Sequence, residues 1–184
     1  MIVDAASVYG STSGEGQGSR VKINSGDLRL AKGGRIESAA FGLGQAGELE
    51  INASRVSIVG EGEWFDPKDV DAEPSGEIAR SGLVTGTVAE GDAGTIHLTT
   101  PDLDLDAGLI GSASTDTGEA GSINVNITGQ MVLQNGGQVS VRSSQADGGD
   151  ITINTSGLAL VDNSDLSASA KEDGGSVRLY GDGN

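Results

Sequence analysis

The chain has no cysteine, one histidine, three prolines and five aromatic side chains among 184 residues. Without cysteine there is no disulfide framework, no thiolate zinc site and no iron–sulfur cluster. A histidine-rich metal site or a Ser-His-Asp triad would rest on His97 alone. Basic residues are also scarce: 11 Lys and Arg stand against 27 Asp and Glu, a formal charge of −16. Nucleic-acid binding needs Lys and Arg to neutralise phosphates, so that class is set aside. Such a surface also fits anionic lipid headgroups poorly. No apolar run approaches the roughly 20 residues that span a bilayer, so no membrane insertion is expected.

Glycine is abundant instead, at 31 residues, more than twice the ordinary usage of about 7%. Its placement is periodic. Segments of the form Gly-x-apolar-x-apolar begin at Gly47, Gly94, Gly121, Gly149 and Gly175, and a sixth, one residue longer, begins at Gly18. Their first apolar residues are Val21, Leu49, Ile96, Ile123, Ile151 and Val177, spaced by 28, 47, 27, 28 and 26. A second apolar pair follows: Leu28/Leu30, Val56/Ile58, Leu103/Leu105, Met131/Leu133 and Leu158/Leu160. A third position follows at Ile36, Leu83, Ile110, Val139 and Leu166. Period-two alternation marks short half-buried strands, with turns of Gly, Ser, Asn and Asp between them. No segment has sustained helical periodicity.

Three short strands per repeat of about 27 residues predict an all-β fold, a right-handed parallel β-helix of about six coils. The coils start near residues 18, 47, 94, 121, 149 and 175, and one insertion of about 20 residues accounts for the 47-residue step. Residues 1–184 are read as one β-helical segment of a longer protein. The residue after each first strand is Asn24, Asn52, Thr99, Asn126 or Asn154. This column predicts a structural ladder of side-chain amides, placed at a sharp bend in the left-handed conformation that asparagine tolerates.

The stretches GDAGTIHLTTPDLDLDAGLIGSAS, GEAGSINVNITGQMVLQNGGQVSV and GGDITINTSGLALVDNSDLSAS resemble the repeat region of filamentous-haemagglutinin-like exoproteins. These are the large passengers of two-partner secretion in Gram-negative bacteria and cyanobacteria. The similarity runs from about residue 18 to 180. It implies a right-handed parallel β-helix, passage of the parent protein through an outer-membrane transporter, and a secreted or cell-surface location. Adhesion, biofilm formation and cell–cell contact are the roles it implies. No transporter-binding element is assigned to this segment.

Five residues separate Leu30 from Ile36, but 24 separate Ile58 from Leu83. The inserted stretch, about 61–79, carries the single tryptophan and a run of acids. Inserted loops on a rigid scaffold often bind, and exposed aromatics are common anchors. Trp64, Phe65, Asp66 and Pro67 are therefore the candidate partner-binding residues, with Trp64 suited to stacking on a sugar. The alternative is that Trp64 and Phe65 fold back and cover the side of the helix. In the run DLDLD, Leu103 and Leu105 should point inward, which sends Asp102, Asp104 and Asp106 out from one face. Three carboxylates can supply part of a Ca²⁺ shell, so a surface calcium site is a second candidate; the other reading is plain solvation. No other cofactor is expected. His97, between Ile96 and Leu98, should point outward.

The expected function is a non-enzymatic adhesin segment, a rigid rod that displays a binding loop to a cell-surface or matrix glycan or protein. A pure spacer is the alternative. A polysaccharide-degrading β-helix enzyme built on Asp102, Asp104, Asp106 and Asp116 ranks below both, because Ser81 to Val141 contains no Lys or Arg to hold an anionic glycan.

Overall fold

The computed structural model describes residues 1–60 and 80–181. Among them lie 14 strands and no helix. One sheet stacks β1 (Ile2–Asp4), β3 (Val21–Ala31), β5 (Leu49–Val59), β7 (Ile96–Thr100), β8 (Leu103–Asp106), β10 (Ile123–Gln134), β12 (Ile151–Leu160) and β14 (Val177–Gly181). The other stacks β2 (Ser7–Thr12), β4 (Arg35–Ala40), β6 (Gly82–Thr87), β9 (Leu109–Ser114), β11 (Gln138–Ser143) and β13 (Asp165–Ser169). Every ladder between these strands is parallel, and the whole is a β-solenoid of about six turns with about 28 residues per turn. Each coil lies one interstrand spacing, about 4.8 Å, from the next.

The repeat predicted from the sequence is the stacking register. Val21, Leu49, Ile96, Ile123, Ile151 and Val177 form one column. Leu28, Val56, Leu103, Met131 and Leu158 form a second. Ile36, Leu83, Ile110, Val139 and Leu166 form a third on the opposite sheet. In the middle coils these side chains are fully buried and fill the bore. The first two strands of each repeat run together as one bent strand in β3, β5, β10 and β12. They separate between β7 and β8, where Pro101 brings no N–H to the ladder.

The asparagine column stacks as expected, Asn24 on Asn52, Thr99, Asn126 and Asn154 in turn. Its amides bond along the rod: Asn52 Nδ2 donates to Asn24 Oδ1 at 3.3 Å, and Asn154 Nδ2 to Asn126 Oδ1 at 2.8 Å. The expected left-handed bend is not there. These residues are extended strand, and positive φ falls at another corner. Lys32-Gly33, Asn135-Gly136 and Asp162-Asn163 each take two successive positive φ values, and each pair is closed by an i to i+3 hydrogen bond of 2.8, 2.9 or 3.2 Å. These are type I′ turns. Two shorter corners turn on one left-handed residue each, Ala5 and Ala107.

Glycine at the corner that opens each coil has a steric cause. A Cβ on Gly94 would lie 1.8 Å from the carbonyl oxygen of Gly47, and one on Gly121 would lie 2.0 Å from that of Gly94. A second glycine column, three residues earlier, has the same contact: Gly91 on Gly44 and Gly118 on Gly91. Inside this corner sit buried hydroxyls that no apolar pattern marks. Ser38, Thr85 and Ser112 stack on the inner face of the second sheet. Ser38 Oγ accepts from Gly47 N at 2.9 Å, Thr85 Oγ1 donates to Gly94 O at 2.6 Å, and Ser112 Oγ accepts from Gly121 N at 3.0 Å.

Substituting Gly94→Ala is expected to destabilise the chain by about 3 kcal/mol or more, because backbone must shift to admit one methyl group. Gly26 has open space around its Cα and no positive φ, so Gly26→Ala should stay within about 0.5 kcal/mol of the parent. Urea denaturation of both variants, followed by circular dichroism, measures the difference.

Candidate functional site

In sequence the insertion, 61–79, joins the end of β5 to the segment just before β6. Trp64, Phe65, Asp66 and Pro67 lie outside the described residues. Both of its stems are fixed. Gly60 N donates to Asp106 O at 2.7 Å and Gly82 N to Gly34 O at 3.1 Å. Ser81 Oγ accepts from Gly33 N at 3.0 Å.

Arg80 does the most at this corner, and sequence reading passed it over as one base in an acidic stretch. It is only 9% exposed. Its Nε donates to Ala107 O at 2.7 Å, and its Nη2 donates to Gly108 O at 3.3 Å and Gly136 O at 2.6 Å. The guanidinium thus bridges the corners of the next two coils. No carboxylate of the described residues pairs with it, and burial pulls its pKa down. Hydrogen bonds to a charged group contribute about 1.5–3 kcal/mol each against lost hydration. Arg80→Met should therefore cost about 2–4 kcal/mol. Arg80→Lys should recover little, because one ammonium lacks the planar fork that reaches three carbonyls. Thermal unfolding of the two variants tests both statements.

Asp102, Asp104 and Asp106 do project from one face, as expected from the buried Leu103 and Leu105. The structure sends each to a different partner in the next coil. Asp102 Oδ1 accepts from Gln130 N at 3.2 Å, Asp104 Oδ1 from Gln134 Nε2 at 3.4 Å, and Asp106 Oδ1 from Asn135 Nδ2 at 2.7 Å. Among the described residues no group of three or more His, Cys, Asp or Glu is placed to hold a metal ion. Asp116 does not join the other three: it lies beyond β9, on the second sheet's side, and accepts from Thr117 N at 2.9 Å.

Partial burial raises the pKa of Asp104, the charge of Asp106 raises it further, and Arg55 opposes both. A carboxylate whose folded pKa is raised destabilises the fold when ionised and ceases to do so as pH falls through that pKa. Asp104→Asn should raise the unfolding midpoint at pH 7. The gain should shrink as pH falls through the raised Asp104 pKa and be gone below the ordinary aspartate range, and thermal scans across pH check this.

His97 points outward and stacks between Glu50 and Asn124. Its Nε2 lies 3.4 Å from Glu48 Oε1. The same face carries Arg20 against Glu48 and Glu50, and Lys22 against Glu50 at 2.8 Å. The hydrogen bond from Lys22 is the main cause of the lowered pKa of Glu50. These are exposed pairs that align coils.

Comparison of the chain with protein-family models, curated proteins and solved structures returns no match.

Proposed function

We propose that this chain is a non-enzymatic adhesin segment of the filamentous-haemagglutinin-like kind, a rigid rod that presents the 61–79 insertion to a cell-surface or matrix glycan or protein. One observation carries the reading: pairing stays in register across the insertion. Leu49 still meets Ile96 and Val56 still meets Leu103 over a 47-residue step. β6 pairs over six residues with β4 on one side and with β9 on the other. A coil that takes in an inserted segment and keeps its register on both sheets suits display. The separation of Asp116 from the aspartates of β8 supports a non-catalytic role over polysaccharide cleavage. Secretion of the parent protein through an outer-membrane transporter, and a surface location, belong to the same proposal and rest on the sequence resemblance. Among the described residues no helix is long and apolar enough to cross a membrane.

The test compares the chain with a variant lacking residues 61–79 on a glycan array and on whole cells, with and without calcium. Binding by the intact chain that is lost in the deletion, with both β-folded by circular dichroism, is the expected result. No binding by either would leave the rod as a spacer.

A further inference from the structure

The corner between the two halves of the long bent strands is a shallow, open depression. Across four coils it forms a groove of about 440 Å³, whose walls include Asn24, Asn52, Ser54, Thr99 and Thr128 and whose lining includes Pro101. We propose that this groove binds a neutral linear oligosaccharide lying along the rod axis, at a site separate from the insertion.

The charge of the lining is the first reason. In a chain of formal charge −16, no Asp, Glu, Lys or Arg lines this groove. An anionic glycan would find no cation in the lining, and the flanking carboxylates of Glu50 and Asp102 already accept hydrogen bonds from Asn52 Nδ2 and Gln130 N, each at 3.2 Å. The hydrogen-bonding groups are the second. Asn52 spends its amide hydrogens on Asn24 Oδ1 and on Glu50 Oε1, at 3.3 and 3.2 Å, and its own side-chain oxygen has no protein donor among the described residues. The amide nitrogen of Asn24 and the hydroxyls of Thr99 and Thr128 have no protein partner among the described residues. Amides and hydroxyls side by side offer donor and acceptor together, which is the pattern that neighbouring sugar hydroxyls require. Ala53, Pro101 and the threonine methyl groups add the carbon surface on which the C–H face of a pyranose rests.

The backbone argues against an extended peptide. β5 is paired on both sides, by β3 and by β7 and β8, and the one uncovered edge, at Asn24 and Ser25 of β3, would take a peptide across the groove's end and not along it. Spacing favours a polymer of repeating units. Equivalent groups recur once per coil, at about 4.8 Å, close to the length of one extended hexose residue. The groove also ends. In the fourth coil a bulge between Ile127 and Gln130 adds a residue and places Thr128 at its close. It therefore accommodates a few sugar units.

The experiment is nuclear magnetic resonance of the full chain titrated with cello-, laminari- and malto-hexaose. A heparin hexasaccharide, an oligogalacturonate and an uncharged Gly-Ser peptide serve as comparison probes. At least one neutral hexaose should shift the side-chain amides of Asn24 and Asn52 and the backbone amide of Thr99. Thr99→Val and Thr128→Val, both exposed and neither a rung of the amide-to-amide bonds, should weaken that binding about fivefold or more, the loss expected for one hydrogen bond. Their unfolding midpoints should stay at the parent value. The inference fails if no neutral hexaose moves these signals, if the charged sugars or the peptide move them as strongly, or if both variants bind as the parent does. Shifts confined to residues 61–79 would overturn the groove while leaving the insertion as the contact site.

Discussion

At the corner that opens each coil, the carbonyl oxygen of one glycine occupies the volume that a Cβ of the next coil's glycine would need. Gly47, Gly94, Gly121, Gly149 and Gly175 repeat this contact. Every other regularity depends on it. Close approach at the corner sets which residue of one coil lies over which residue of the next. That register sends alternate side chains inward, since a slip of one residue would turn the whole apolar set outward. The hydroxyls of Ser38, Thr85 and Ser112 bond to the backbone of these same corners. The apolar bore and the glycine corner are thus joined by buried hydrogen bonds, and neither is free to slide along the other.

The acidity of the chain is partly explained by the same stacking. Asp92, Asp102, Asp147 and Asp150 each accept a hydrogen bond from a backbone N–H in the following coil, 26 to 28 residues on. These carboxylates act as coil-to-coil acceptors. Asp150 also takes Ser176 Oγ at 2.7 Å and Arg178 Nη1 at 2.6 Å, and these bonds hold its pKa well below the usual aspartate range. Several bases stand opposite or beside acids: Lys22 against Glu50, Asp27 opposite Arg55, Lys32 against Asp4. Exposed pairs of this kind contribute little stability, about 0–1 kcal/mol each. Their use is to favour one register over a slipped one, in which like charges would face each other.

Much of this was legible in the amino-acid sequence, for a definite reason. A solenoid puts the same residue type at the same place in every coil, so a spacing such as that from Ile96 to Ile123 is a statement about contact. The three apolar columns, the asparagine ladder and the position of the insertion followed from that. The bend did not. Asparagine is favoured both in left-handed corners and in stacked amide ladders, and only the backbone tells the two apart: Asn135 takes the corner, and Asn126 the ladder. Ser38, Thr85 and Ser112 escaped because a hydroxyl two residues after an apolar position reads as the end of an alternating strand. Arg80 escaped because its partners are carbonyl oxygens, which leave no trace in side-chain identity. The groove was equally hidden. Ala53 and Pro101 become neighbours only once pairing is carried across the insertion.

The place of the insertion follows from these forces. A corner is where the chain leaves one ladder and has not yet entered the next, so added residues there break no interstrand bond. Lengthening this corner from the usual five residues to 24 costs about 1–2 kcal/mol in loop closure, since that term grows only with the logarithm of length. Arg80 supplies a compensating term at the same point. Its three hydrogen bonds hold the return of the chain against two further coils, so the column from Leu83 to Ile110 resumes in register. The ordinary corner beside it turns on Ala107, whose left-handed backbone carries strain and whose carbonyl faces Arg80. One buried guanidinium therefore satisfies the carbonyls of neighbouring corners and closes the longer one, and the rod keeps its register where its sequence departs most from the repeat.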